Sequence, residues 1–518
     1  VREIPDRELV QGWDLSFDLN PFFRDLDSEI TLSAVVTETD TLPTGLTFEN
    51  GVLEGTFEGT GSFPITVTAE SEGKTASDEF LLEYIAPSGE FTLAIFHNND
   101  GESDLLPDSI TVNGMETTGG SIGQFKATLD SLRNQAMMRG YPSIMLSSGD
   151  NFLAGLEYNA SQANGVYYDA IALDSLDYDA ICIGNHDFDF GTTVLSELIN
   201  SIQVNQAPYL SSNLGFGNVP ELQALADAGR IAPYTILERE GEKIGVIGLT
   251  TPALPIISSP GNTVVSEAIV DSTQKYVQVL ADSGVNKVIL ISHLQGYDED
   301  TTLASQISGV DIIIAGGGDE LLTNDPSLGA PFNTPVQDVY PVVIDDADGN
   351  PVYLVTTPGN YRYLGNLLVE FDAGGVVTKV YQSDPVLVYG ETDSSMVEVI
   401  EDPIREYIGD LSTNVIAVAE DTLDFRREGL RGEETNGGNL FADALLWQAK
   451  KNAASFGVNA PQVALQNSGG LRIEALVEPG DFTEDLTYEI AAFTNNLVVV
   501  EDIAPAKFLE LIAHGVAE

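Results

Sequence analysis

The stretch Ala180-Ile181-Cys182-Ile183-Gly184-Asn185-His186-Asp187-Phe188-Asp189-Phe190-Gly191 decides how this chain is read. Its apolar start reads as a buried strand, and the turn that follows gathers an amide, an imidazole and carboxylates. The chain has only four histidines, and three of them close apolar runs: His97, His186 and His293. Open α/β sheets bind ligands outside the carboxyl ends of their strands. Ligand-type side chains collected there point to a metal-dependent hydrolase.

Working outward, residues 91–96, 144–146, 180–183, 287–291 and 311–315 are short, apolar and β-rich. Between them, 121–138 carries Phe125, Leu129 and Leu132 at helical spacing. That alternation predicts βαβ units and a sheet covered by helices. Residues 1–87 differ: alternating runs at 30–36 and 63–69 sit among Gly, Pro and Asp turn signals and predict an all-β module. Ala86-Pro87-Ser88-Gly89-Glu90 reads as a linker. Near 385–412, Asp393-Ser394-Ser395 is expected to cap a connecting helix interrupted by Pro403. Further on, Asn436-Gly437-Gly438-Asn439 opens a helical run from Leu440 to about Lys450, and 505–512 reads as another helix carrying His514 at its end.

A length of 518 residues is too great for one core and predicts several domains. Lys and Arg total 22 against 80 Asp and Glu, a net charge of -58. Such a surface repels nucleic-acid backbones and anionic membranes, so a polymer-binding role is disfavoured. The acidic residues are scattered rather than gathered in a tail, which suits a solvated surface in salty surroundings. Cys182 is the single cysteine, so no internal disulfide is possible, and its apolar setting predicts an inert buried thiol. No apolar run approaches the roughly 20 residues needed to span a bilayer. The chain opens at Val1 without a signal-peptide pattern and reads as a processed or excised segment.

In order, the strand ends supply Asp100 and Glu102, Asp150, Asn185 with His186 and Asp189, His293, then Asp319 and Glu320. Two neighbouring divalent ions need a shared anionic bridge, and Asp150, after Ser147-Ser148-Gly149, suits that task. Asn185 offers a neutral oxygen and His293 a nitrogen, which limits negative charge so that a phosphate can still bind. Such a pair of ions activates a water and clamps an in-line displacement. His186 is placed to stabilise the phosphoryl group or protonate the leaving oxygen, with Asp189 orienting the imidazole.

These residues carry a resemblance. Phe96-His97-Asn98-Asn99-Asp100, Ser148-Gly149-Asp150, Gly184-Asn185-His186-Asp187-Phe188-Asp189 and Ser292-His293 make residues 91–518 similar to the bacterial and animal 5'-nucleotidases. Asn436-Gly437-Gly438-Asn439-Leu440 and the 467–472 segment extend that similarity. The resemblance implies a calcineurin-like metallophosphoesterase domain followed by a substrate domain. It implies that Asp150 bridges the metals, that Asn185 and His293 bind the second ion, and that His186 and Asp189 form the catalytic pair. It also implies that Arg431, Asn467 and Arg472 hold phosphate or nucleoside and that Phe493 stacks a base. The run 42–56, with Leu42-Pro43-Thr44-Gly45-Leu46 and Gly51-Val52-Leu53-Glu54-Gly55, resembles immunoglobulin-like or cadherin-like repeats of bacterial surface proteins, implying a spacer or adhesion module. The expected division is a β-sandwich over 1–87, a metallophosphoesterase α/β sandwich over 91–385, a linker helix region over 386–412 and an α+β substrate domain over 413–518. Family members continue beyond that last segment, so it is expected to be incomplete.

The departures matter too. The family has Asp-x-His where this chain has Asp100-Gly101-Glu102, and a His-rich turn where it reads Gly316-Gly317-Gly318-Asp319-Glu320. Carboxylates in place of imidazoles favour hard cations such as Mg²⁺, Mn²⁺ or Ca²⁺ over Zn²⁺. The expected first site is Asp100, Glu102, Asp150 and Glu320. The second keeps Asp150, Asn185 and His293, completed by Asp319, unless Asp319 and Glu320 merely cap a following helix.

The expected function is an extracellular two-metal phosphomonoesterase of nucleoside monophosphates or related esters, secreted or at a bacterial cell surface in a saline setting. Two alternatives stay open: a cyclic-nucleotide or phosphodiester hydrolase, and a surface or adhesion protein with a decayed phosphatase-like domain. The charge makes its own prediction. Self-repulsion at a net -58 is relieved by screening, so the melting temperature should rise between low and molar salt. A melting temperature unchanged across that range would remove the salt-adapted reading.

Overall fold

The computed structural model describes all residues except 1, 25–29, 38, 88, 90, 113, 382–383, 474, 493–496 and 516–518. Ser88 and Glu90 of the expected linker therefore lie outside the described residues. The protein is multidomain: a β-sandwich, an α/β sandwich and an α+β portion follow one another. It forms two compact units, Val1–Leu153 with Asn164–Pro403, and Ala154–Ala163 with Ile404–Glu518. Among the described residues, no helix is long and apolar enough to cross a membrane.

In the first unit, the N-terminal module pairs two sheets. One has the order Arg7–Val10, Lys74–Ile85, Gly61–Ser71, Thr31–Val36; the other is Asp14–Asp18, Val52–Thr56, Leu46–Glu49. Alternation sends Ile65, Val67, Phe80, Leu82 and Tyr84 into the core between them. Arg7 fastens this module to the α/β portion. Its guanidinium lies 4.0 Å over the Phe17 ring and donates to Asp384 Oδ2 at 2.7 Å and to the Asn324 carbonyl at 3.2 Å. Lys379 and Glu8 add an ion pair at 2.8 Å.

The α/β portion stacks two sheets. The larger runs Ile231–Ala232, Tyr209–Leu210, Ala180–Cys182, Ser143–Ser147 and Phe91–Asn98 in parallel, then adds Tyr363–Phe371 antiparallel. The other has Glu242–Thr250, Val288–His293, Ile312–Gly316 and Pro351–Val355 in parallel between antiparallel edges. Runs such as Ile289, Leu290, Ile291 and Ile312, Ile313, Ile314 are buried on both faces, as a strand covered on both sides requires. The predicted helix forms as Ile122–Met138, opened by a capping box in which Ser121 accepts from Gln124 N.

The two sheets meet closely where glycine permits it. A Cβ on Gly248 would stand 2.3 Å from the Leu210 carbonyl oxygen of the facing sheet. Ser212 N instead donates to Gly248 O at 2.7 Å, and Thr250 Oγ1 donates to Ile183 O at 2.6 Å. Cys182 lies on this seam, fully buried, and burial raises its thiol well above the usual range.

Pro403 departs from expectation. Asp393 caps the helix as predicted, accepting from Ser395 N and Met396 N, but Pro403 does not interrupt it. Helical turns run on from Ser394 to Ser412 because a π-turn over Val397–Glu401 precedes the proline. Such a widened turn accommodates a ring that lacks an N–H and would clash with the preceding turn of a regular helix.

The second unit has the two-stranded pairs Val415–Ala419 with Gly480–Thr483 and Leu423–Asp424 with Leu476–Val477. Helices Asn436–Asn452, Glu484–Ile490 and Pro505–Gly515 accompany them, and Phe425, Leu471, Val477 and Ile490 form a small core. Thr435 caps the first of these helices, and His514 lies exposed on the last.

The sheet seam gives a test. Gly248→Ala forces the sheets apart and should cost about 1–3 kcal/mol of stability. A lower urea midpoint at an unchanged slope is the expected result.

Candidate active site

Four strands of the α/β portion end at one place, and the turns after them carry the polar groups. The turn after Phe91–Asn98 holds Asp100 and Glu102; the one after Ser143–Ser147 holds Asp150; Asn185 follows Ala180–Cys182; and His293 ends its own strand. Asp100, Glu102, Ser103 and Asp150 all have positive φ, between 48° and 58°. Non-glycine residues rarely adopt this left-handed conformation, and each costs roughly 1–3 kcal/mol. Hydrogen bonds between the two turns hold them there: Asp100 N to Gly149 O at 2.9 Å, and Glu102 N to Asp150 O at 2.9 Å.

The carboxylates and the imidazole converge. Ligand atoms of Asp100, Asp150 and His293 lie within 4.8 Å of one another, and all three residues are buried. His293 Nδ1 donates to the Ser148 carbonyl at 2.6 Å, so Nε2 faces the cluster, 2.8 Å from Asp150 Oδ2 and 3.2 Å from Asn185 Oδ1. That backbone bond fixes the tautomer a metal ligand needs. Asp100 Oδ2 accepts from Gly317 N at 2.9 Å and Asn99 Nδ2 at 2.8 Å. Glycine is required beside Asp150: a Cβ on Gly184 would stand 2.0 Å from its Oδ1. Two carboxylates, an imidazole and an amide oxygen are a donor set that fits divalent cations.

Beside this cluster, His186 and Asp189 form a pair within one 3₁₀ turn. His186 Nδ1 donates to Asp189 Oδ2 at 2.6 Å, and His186 N donates to Asp150 Oδ1 at 2.8 Å. His186 keeps 22% of its side chain exposed and is the accessible member.

The charges are strongly coupled. Burial drives Asp100 up to about 7, with His293 pulling against it, and drives Glu102 up to about 8. Burial acts on Asp150 too, but His293 and His186 more than offset it and hold that carboxyl below its usual value. Burial disfavours the histidine cations, yet Asp150 and its neighbours raise His186 to about 9 and His293 to about 10.

The remaining predicted ligands lie differently. Glu102 feels the charges of Asp100, His186, Asp150 and Asp319. Glu320 instead acts on Tyr297 and Asp300. No helix follows Asp319 and Glu320; the short strand Leu321–Leu322 does. His97 stands apart, buried, with Nε2 at 2.7 Å from the Tyr340 hydroxyl, and burial lowers it to about 3. Arg431, Asn467 and Arg472 belong to the second unit, whereas Phe493 lies outside the described residues. There, a Cβ on Gly469 would lie 3.6 Å from Asn467 Nδ2 and 4.0 Å from Arg431 Nη2, so one turn brings those two side chains near each other.

Sequence reasoning passed over three residues. Asn99 orients Asp100, Gln295 Nε2 donates to Asn185 Oδ1 at 2.7 Å, and Ser258 Oγ donates to Asp189 Oδ1 at 2.7 Å. Asn99 lies inside a quoted motif without being given a role, and Gln295 lies two residues beyond another. Ser258 lies in a loop with no motif to announce it.

Residues 415–501 match the family model described as "5'-nucleotidase, C-terminal domain", and residues 3–84 match that described as "Putative Ig domain". The solved 5'-nucleotidase precursor of Thermus thermophilus is 31% identical with a TM-score of 0.64, over 78% of this chain and 74% of that one. The chain belongs to the 5'-nucleotidase family. This is a family of metal-dependent phosphoric ester hydrolases. The Trifunctional nucleotide phosphoesterase protein YfkN of Bacillus subtilis (strain 168) is 29% identical over 356 residues, 64% of this chain and 22% of that protein. The 5'-nucleotidase of Diplobatis ommata is 30% identical over 275 residues, 51% of this chain and 44% of that protein. The chain thus spans less than half the length of these two curated relatives of its 5'-nucleotidase family.

The raised carboxyls and imidazole make a prediction for this nucleotidase-family site. Burial raises Asp100 and Glu102, and the acids around it raise His293, so each keeps its proton to a higher pH than usual. A metal displaces such protons, and loading should release them and apparent affinity should climb with pH. Calorimetric titration with Mn²⁺ is expected to give a heat that varies with the buffer's ionisation enthalpy, and affinity that rises from about pH 6 to about pH 9. Asp150→Ala should abolish the binding.

Proposed function

We propose that the protein is an extracellular phosphomonoesterase that uses two divalent ions to hydrolyse nucleoside monophosphates or related phosphate esters. The observation that carries this reading is the convergence of Asp100, Asp150 and His293 beside the His186–Asp189 pair. Family membership supports the reaction class. The Ig-like module and the net charge of -58 support a secreted or cell-surface location in saline surroundings.

Asp150 would bridge the ions, with Asp100, Glu102 and Glu320 on one side and Asn185, His293 and Asp319 on the other. Bound there, the ions would lower the pKa of a water and neutralise charge on the phosphoryl group, and the carboxylate-rich side favours Mg²⁺, Mn²⁺ or Ca²⁺ over Zn²⁺. The chain's own residues do the rest. Asp189 takes the Nδ1 proton of His186 in a hydrogen bond, which leaves Nε2 to present a proton to the phosphoryl or leaving oxygen. Gly317 N and Asn99 hold Asp100 in place. Arg431, Asn467 and Arg472, with Phe493 as base stack, would bind the substrate's phosphate and nucleoside. The domain limits at 87, 385 and 412 are proposed alongside these roles.

A decayed, purely adhesive domain would have no use for the His186–Asp189 hydrogen bond, which is retained. Phosphate release from AMP, a cyclic nucleotide and p-nitrophenyl phosphate, with Mg²⁺, Mn²⁺, Ca²⁺ or Zn²⁺, is the test. Turnover of the monoesters with hard cations is expected, and His186→Ala should lower kcat by roughly 10²–10⁴-fold. No release with any metal, or no effect of His186→Ala, would overturn the proposal. Faster turnover of the cyclic nucleotide would move it to phosphodiesters.

A further inference from the structure

Asp189 can orient His186 only if its own carboxylate is held, and the turn that carries both does not do this alone. Within that turn, Asp189 N donates to His186 O at 3.1 Å, which fixes the backbone but leaves the carboxyl free to rotate about its side-chain bonds. One oxygen, Oδ2, is taken by His186 Nδ1 at 2.6 Å. The other, Oδ1, accepts from Ser258 Oγ at 2.7 Å. Ser258 comes from a different part of the fold. It ends the short helix Leu254–Ile257, which follows the strand Glu242–Thr250 of the smaller sheet, whereas His186 and Asp189 follow a strand of the larger one.

The serine is itself fixed. Its N–H donates to Leu254 O at 3.1 Å, and Leu254 is fully buried, so the loop is anchored beneath while Pro255, Ile256 and Ile257 face outward. A hydroxyl so delivered reaches Asp189 across the seam between the sheets, along the relay Ser258–Asp189–His186. With both oxygens engaged in separate directions, the carboxylate plane has one orientation, and His186 has one with it.

We propose that Ser258 is a positioning residue for the phosphoester hydrolysis: it holds Asp189 so that His186 presents Nε2 in a single productive orientation. This rests on the reading of His186 as the group that meets the phosphoryl or leaving oxygen. Ser258 touches neither metal ligand nor substrate in this scheme, so its removal should reduce turnover without weakening substrate binding.

The experiment compares wild type, Ser258→Ala, Ser258→Thr and His186→Ala in the full chain, with p-nitrophenyl phosphate and Mn²⁺. Ser258→Ala is expected to lower kcat about tenfold or more, the scale of one hydrogen bond to a charged group, with KM changed less than about twofold. Ser258→Thr, which keeps the hydroxyl, should recover most of kcat, and melting temperatures should match wild type. The second readout is the far-downfield proton resonance of His186 Nδ1–H, assigned by its absence in His186→Ala. It should shift or broaden in Ser258→Ala and persist in Ser258→Thr. Unchanged kcat and an unchanged resonance in Ser258→Ala would overturn the inference while leaving the hydrolase reading intact. So would a loss that Thr fails to recover and that comes with a lowered melting temperature. If wild type itself releases no phosphate, the hydrolase reading fails, and the resonance alone decides whether Ser258 holds the pair.

Discussion

Burying two carboxylates side by side is the constraint around which the α/β portion is organised. Asp100 and Asp150 stand within reach of one imidazole in a place that excludes water, where like charges are costly and positive charge is needed. The cluster answers with cations and dipoles: His293 between the two acids, His186 N–H on Asp150, and Gly317 N–H on Asp100. The backbone meets the same demand. Asp100, Glu102 and Asp150 sit in left-handed conformations, and hydrogen bonds between their two turns, at the ends of paired strands, hold them there. Divalent ions would satisfy the same demand more fully than protons do.

The sheets make this precision possible. A turn cannot hold a carboxylate in place unless its ends are fixed, and here every turn of the cluster follows a strand buried on both faces. Glycines at 149, 184 and 248 let backbones approach where a side chain would intrude, two of them at the acids and one at the seam between the sheets. Arg7, held over Phe17 and bonded to Asp384, ties the β-sandwich to the same unit, so this module is docked through specific contacts and is more than a spacer on a loose tether. The buried guanidinium is matched by a carboxylate, as a charge in that position must be.

Much of this was legible in the sequence because periodicity and motif order are local. The apolar runs gave the strands, the alternation gave the layering, and Gly184–Gly191 placed Asn185, His186 and Asp189 in one turn. Side chains brought in from elsewhere were not legible. Ser258 lies 69 residues beyond Asp189, with several strands and helices between them, and nothing in its neighbours distinguishes it from a loop serine. Pro403 misled for a related reason: a proline rule assumes a regular helix, and the π-turn at Val397–Glu401 is a tertiary adjustment that no local pattern announces. Spacing also could not tell Asp319 from Glu320, since adjacent residues point in different directions once the chain turns.

That last distinction bears on how charge is distributed around the proposed metal sites. Of the two, it is Asp319 whose charge reaches Glu102, while Glu320 acts on Tyr297 and the buried Asp300. Glu102 also feels the charges of Asp100 and Asp150, so Asp319 adds to a concentration of negative charge that would suit small, hard, strongly charged ions at the two proposed sites together. Imidazoles in such positions, as neutral nitrogen ligands, would leave less charge to balance and favour softer ions. An acidic surface acts in the same direction by concentrating cations around the protein. The acids around this site and the excess of acids over the whole chain are thus two scales of one electrostatic condition, under which the proposed metal loading and the predicted salt dependence of stability would both follow the supply of positive charge.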